Sequence, residues 1–173
     1  MISAPVVVER SLKIVMGNNM QDPFQKIIEL LDSQDIKYEI LEHEPVYTSE
    51  QAAKVRNESI NSGAKSLLLR AGGYFVLAVL PGGKRLSSKK VKKFLGLKDL
   101  RFATPQEVKE AMGCEIGSCY PLGKIIGVRT IIDNALLENE DISFNPGLHE
   151  KTIKLKLRDY LSLAAAEITD ISE

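Results

Sequence analysis

Apolar residues recur along this chain in two periods. Phe24, Ile27, Ile28 and Leu31 fall at i, i+3, i+4 and i+7, which predicts an amphipathic helix. Asp22 before Pro23 supplies its N-cap and a first-turn proline. Over 37–41 the period shortens: Tyr38 and Ile40 share one side of a short strand that His43-Glu44-Pro45 breaks. Thr48 with Gln51 reads as a capping box for a short helix carrying Ala52, Ala53 and Val55. A polar loop over 57–63 follows. Residues 64–70 and the nearly continuous apolar run 74–80 then form the clearest hairpin, turning at Ala71-Gly72-Gly73. Pro81-Gly82-Gly83 ends it.

Ser87 caps the next helix, which turns Val91, Phe94 and Leu95 inward and stops at Gly96. Thr104-Pro105-Gln106-Glu107 opens another helix, ending at Gly113. A loop rich in Gly, Cys and Pro covers 114–123. Residues 125–133 are predicted as a strand. Two more strands, 142–145 and 152–157, are joined through Pro146-Gly147, and a final helix starts at Arg158. The tail after Ile168 is expected to fray. Helices and strands mix without strict alternation and without internal repeats. The fold class expected is α+β, a mixed sheet with peripheral helices. One domain over 21–168 is expected, with an N-terminal extension over 1–20 and a tail over 169–173. Met16 and Met20 are alternative starts within that extension.

Composition changes this picture little. Of 173 residues 44% are hydrophobic, and 23 basic residues balance 23 acidic ones, so any nucleic-acid contact must come from a local patch. No run approaches the roughly 18 apolar residues of a membrane span. Val6-Val7-Val8 is too short for a signal-peptide core, so the cytoplasm is the expected compartment. Cys114 and Cys119 fit no zinc or redox spacing, and with only two histidines no metal site and no cofactor are expected.

Four segments could carry chemistry. Lys65 stands in the small, apolar stretch Gly63-Ala64-Lys65-Ser66-Leu67. An ammonium there is paired, snorkelling or aimed at a ligand, because desolvating it is costly. The plain alternative is a lysine on the solvent face of an edge strand. Gly117-Ser118-Cys119-Tyr120-Pro121 could aim successive backbone N–H groups at one point, as a nest for a carbonyl or anion, or be a surface turn. Asn145-Pro146-Gly147-Leu148-His149 places an amide and an imidazole on a turn. Lys84, Arg85, Lys89, Lys90, Lys92 and Lys93 lie in a stretch with no acidic residue, which suits phosphate contacts. Cys119 could act as a nucleophile with His149 as its base, but nothing in the sequence places the two together.

In this order the segments resemble the YbaK / prolyl-tRNA-synthetase editing-domain family, from about Pro23 to about Leu163. The resemblance is carried by His43-Glu44-Pro45-Val46-Tyr47-Thr48 with Glu50-Gln51-Ala52-Ala53, by Gly63-Ala64-Lys65-Ser66-Leu67, and by the run 74–81. The Gly-x-x-x-Pro loop from Gly117 to Pro121 and Asp133 complete it. It implies a barrel-like mixed sheet and a trans-acting deacylase that hydrolyses the ester of mischarged tRNA. Lys65 would point into the aminoacyl pocket as its catalytic residue. Tyr47, Gly117, Ser118, Cys119, Pro121, Asn145, Gly147 and His149 would bind substrate, and the six basic residues would touch the tRNA backbone. Aminoacyl-tRNA is the implied partner, with a prolyl-tRNA synthetase as a further one. The branch that removes alanine from prolyl tRNA typically has a histidine where Asn145 stands here. Alanine or cysteine is the expected amino acid, since a synthetase pocket excludes smaller side chains poorly. A catalytically silent tRNA- or synthetase-binding module and a thiol hydrolase are the rival readings.

Overall fold

In the computed structural model the residues described are the backbone of Val6–Val8 and residues 22–173. The rest of the expected N-terminal extension, including both alternative start methionines, lies outside them. The elements in order are β1 (Val6–Val8), α1 (Pro23–Ser33), β2 (Tyr38–Glu42), α2 (Ser49–Arg56), β3 (Ala64–Ala71), β4 (Tyr74–Pro81) and α3 (Ser88–Leu95). Then come β5 (Arg101–Phe102), α4 (Pro105–Met112), β6 (Arg129–Asp133), β7 (Asp141–Phe144), β8 (Lys151–Lys156), α5 (Leu157–Ala164) and β9 (Glu167–Thr169).

The strands form two sheets. One has the order β1-β2-β8-β7 and is antiparallel throughout. The other has the order β5-β3-β4-β6-β9, in which β6 runs parallel to β4 and β9 parallel to β6. The α+β class is as expected, but the sheets do not close into a barrel among the described residues. Among the described residues a single bridge, Gly63 to Ser143, links them. The main core lies between the sheets and takes in Ile27, Leu31, Leu77, Ile132, Phe144, Ile153 and Tyr160, all at most 1% exposed.

The local signals explain the elements. Asp22 Oδ1 accepts from Gln25 N–H at 2.8 Å and caps α1. Thr104 and Glu107 close a full capping box on α4. At α2 the box is displaced by one residue: Thr48 Oγ1 accepts from Gln51 N–H, while Gln51 Oε1 reaches back to Tyr47 N–H. That second bond fixes the residue before the helix.

Three expectations are corrected. Phe94 does not face inward but is 39% exposed, because α3 buries Val91 and packs the half-buried Leu95, four residues on, against the same cluster. The strand expected over 125–133 begins only at Arg129. Residues Gly123–Ile126 form a 3-10 turn instead, and Gly127 ends it in the left-handed region at φ 67°. The tail is tied down rather than frayed. β9 pairs with β6, and the fully buried Asp133 accepts from Ile171 N–H (3.0 Å) and the Ser172 hydroxyl (2.7 Å).

Candidate active site

The site is a cavity of about 390 Å³ at the edge of β3. Its walls come from α2 (Ser49, Ala52, Ala53, Arg56), from the loop and strand Gly63 to Leu68, from Phe102, Ala103 and Val108, and from Ile116, Gly117 and Cys119. Tyr47, Phe102 and Ile116 are 61%, 56% and 53% exposed, so an apolar rim surrounds the opening. β5 covers the outer edge of β3 only at Leu69 and Arg70, which leaves the first half of β3 open to the cavity.

Lys65 lines the cavity half-buried. Its ammonium donates to Gly82 O at 3.3 Å and to Lys84 O. Burial lowers its pKa from the usual 10.5, and the Glu50 carboxylate opposes that shift. Gly82 is required here: a Cβ on it would lie 2.6 Å from Ile60 O. Without a side chain there, the 81–84 loop packs against Ile60 and Ser49.

Arg56 was not singled out in the sequence, and it is the second cation of the wall. It is 8% exposed, donates from Nε to Thr152 Oγ1 (2.9 Å) and from Nη2 to Asn145 Oδ1 (3.2 Å). Burial pulls its pKa down to about 10, with Glu58 acting the other way. Arg56 stays charged at neutral pH. Asn145 also lines the cavity, and its amide nitrogen is anchored on Leu148 O and Lys151 O. Arg56 falls four residues after Ala52, on the buried stripe of α2, and a charge at a stripe position was the available signal.

The structure divides the other expected site residues. Tyr47, Gly117 and Cys119 line the cavity, with Lys65 and Asn145. Ser118, Pro121, Gly147 and His149 do not. The Ser118 N–H and hydroxyl both turn back to Glu115 O, so the N–H is spent in an internal turn rather than aimed into a nest. Its carbonyl accepts from Gly147 N–H at 2.9 Å. Pro121 O is taken by the buried Tyr160 hydroxyl. His149 packs its ring against Tyr47 at 4.5 Å and bonds Val46 O and Glu115 Oε2, so it braces the rim from behind. Gly117, at φ 92°, passes so close to Tyr47 that a Cβ would lie 3.1 Å from Tyr47 O.

No hydrogen bond joins Cys119 to His149. Its sulfur lies 3.8 Å from Cys114 Sγ. Hydrogen bonding to Cys114, then burial, pushes the Cys119 thiol well above its ordinary range, which disfavours the thiolate a nucleophile needs. Among the described residues no three His, Cys, Asp or Glu side chains gather as a metal site, and no helix is long and apolar enough to cross a membrane.

The basic run is less free than its sequence suggests. Lys90 donates to both Asp170 carboxylate oxygens and to Ser172 O, so it holds the tail in place. Lys84, Arg85, Lys89 and Lys93 are exposed and Lys92 is half-buried. The run begins at the cavity rim, because Lys84 O receives the Lys65 ammonium.

The class of this fold follows from comparison with known proteins. Residues 43–163 match the family model of the aminoacyl-tRNA editing domain, and the chain belongs to that family. It is 28% identical over 151 residues to the multifunctional Ser/Thr-tRNA deacylase ProXp-y of Escherichia coli K12, covering 84% of this chain and 90% of that one. It is 26% identical to the prolyl-tRNA editing protein ProX of Acetoanaerobium sticklandii, over 84% and 92% of the two chains. A match of 28% to the proline–tRNA ligase of Thermosipho melanesiensis covers 69% of this chain but 21% of the ligase. A solved structure provisionally described as a trans-editing enzyme for prolyl tRNA synthetase shares the fold with a TM-score of 0.78. It is 23% identical and covers 90% of this chain and 99% of its own.

Proposed function

We propose that this protein is a trans-acting aminoacyl-tRNA deacylase that hydrolyses the ester of a tRNA carrying a wrong, small amino acid. The carrying observation is a cavity lined, among the described residues, by two cations, Lys65 and Arg56, and by no carboxylate. Ester hydrolysis builds negative charge on the carbonyl oxygen, and fixed positive charge beside it lowers the barrier. The ester is already activated, so positioning and charge stabilisation suffice. Water adds to the carbonyl carbon, the ester C–O bond breaks, and the 3′-terminal ribose hydroxyl leaves with the proton.

In this reading Lys65 polarises the carbonyl. Tyr47 and Phe102 at the rim offer faces for the terminal nucleoside, and Gly117, Cys119 and Asn145 shape the aminoacyl recess. Ser118, Gly147, Pro121 and His149 support the 117–121 loop and the rim from behind. Alanine and cysteine on a proline tRNA are candidate substrates, and the E. coli relative's name adds serine and threonine. The test is loss of the ester from one tRNA charged in turn with each of the four. Turnover of any supports the reading. Binding of tRNA without turnover of any would replace it with the silent binding module.

Lys84, Arg85, Lys89, Lys92 and Lys93 are proposed to track the tRNA backbone from the cavity rim. Replacing Lys89 and Lys93 together by alanine is expected to weaken tRNA binding. It should also flatten the dependence on log salt by about 0.7–0.9 for each phosphate no longer neutralised. An unchanged salt slope in a filter-binding titration would remove this surface from the tRNA path. Lys90→Ala is expected to act through the tail instead.

A further inference from the structure

Ser66 carries the one buried side-chain polar atom without a hydrogen-bond partner among the described residues. It is 8% exposed and lines the cavity. Buried hydroxyls are nearly always paired, so an orphan at a cavity wall points to a group supplied from outside.

The register of β3 shows which edge of the strand is open beside Ser66. Gly63 O bonds Gly82 N–H on the β4 side, while Leu68 O bonds Ala103 N–H on the other. Backbone groups alternate between the two edges along a strand. The backbone of Ser66 therefore faces away from β4, along the stretch that β5 leaves uncovered. The other cavity residues of β3 on its own face are Ala64 and Leu68, and Ala103, Val108 and Cys119 complete an apolar, small-walled recess.

We propose that Ser66 selects a hydroxyl-bearing aminoacyl side chain, serine in the first instance, by pairing with its hydroxyl. The proposal rests on the deacylase reading and assigns it a specificity-determining residue. The ribose and ester are tethered to the tRNA and stay at the open rim. The substrate's α-ammonium finds no carboxylate in the wall and two cations, so it does not enter the recess. What reaches Ser66 is the side chain. A hydroxyl is donor and acceptor at once and satisfies Ser66 in either direction. An alanyl methyl fits the same space and leaves Ser66 unpaired, the kind of difference on which a site discriminates.

The test compares kcat/KM on one tRNA charged with serine and with alanine, for wild type and Ser66→Ala, with thermal unfolding of both proteins. Wild type is expected to prefer the seryl ester. Ser66→Ala is expected to reduce the seryl-over-alanyl ratio about tenfold, the worth of one hydrogen bond, while melting no lower than wild type. An unchanged ratio, or equal losses on both esters, would overturn the proposal. A variant that melts well below wild type would also overturn it, because the hydroxyl would then serve the fold. Turnover of neither ester by wild type, together with no turnover of the cysteinyl or threonyl ester, would remove the deacylase reading itself. Turnover of the alanyl ester alone would leave that reading standing and remove only the role of Ser66.

Discussion

Lys65→Ala is expected to slow deacylation about a hundredfold or more, the range seen when one preorganised charge-stabilising donor is removed. Placement is the reason. The ammonium stands at the wall of a carboxylate-free cavity, and the carbonyls of Gly82 and Lys84 fix its position. Those two bonds also tie the 81–84 loop to β3, so the variant could lose loop order as well as charge. Lys65→Arg separates the two, because it keeps the charge but changes the geometry. If stabilising charge is the role, Lys65→Arg retains more activity than Lys65→Ala while both melt near wild type. Activity should also fall as pH rises through the Lys65 pKa, which burial places below the usual 10.5. The protonated form exists below that pKa and is lost above it. After subtraction of uncatalysed hydrolysis, a wild-type rate in Lys65→Ala would end the catalytic assignment.

Asp133→Ala is expected to be the most destabilising single change in the second sheet. Asp133 is fully buried at the end of β6, and its two oxygens receive Ile171 N–H and the Ser172 hydroxyl. Alanine leaves both donors buried without an acceptor, at a cost of about 3 kcal/mol. For a chain of this size that lowers Tm by about 6–12 °C. The loss should be local first. The Ile171 amide should lose its hydrogen-exchange protection, and the hold of Lys90 on Asp170 and Ser172 should loosen with it. Unchanged Tm and unchanged protection at Ile171 would mean the tail is held by something else.

The tail shows where sequence reading stopped. Asp22, Thr104, Ser87 and the Gly72-Gly73 turn act on residues within a few positions, so caps and hairpin were legible. Asp133 and Lys90 bind partners 38 to 82 residues away, and no local pattern announces such pairings. The same distance hid Arg56, whose partners Asn145 and Thr152 lie 89 and 96 residues on. Lys65 stood out because a lysine among small residues in a strand is unusual by itself. Ser66 beside it did not, since a serine in a strand is ordinary until its hydroxyl is found buried and unpaired. The 117–121 loop was legible as a feature, but not the direction of its N–H groups, because that depends on Glu115 O capturing Ser118. The barrel expectation came from the resemblance rather than from strand pattern, and sheet closure is set by pairings no pattern reveals.

The central claim is ester hydrolysis, and one measurement meets it directly. Wild-type protein is mixed at neutral pH with a tRNA carrying labelled serine, alanine, cysteine or threonine, and free amino acid and tRNA are followed in time. Multiple turnovers are predicted on at least one of the four, releasing amino acid and intact tRNA in equal amounts. Release no faster than in buffer from all four, by a folded protein, would contradict the claim.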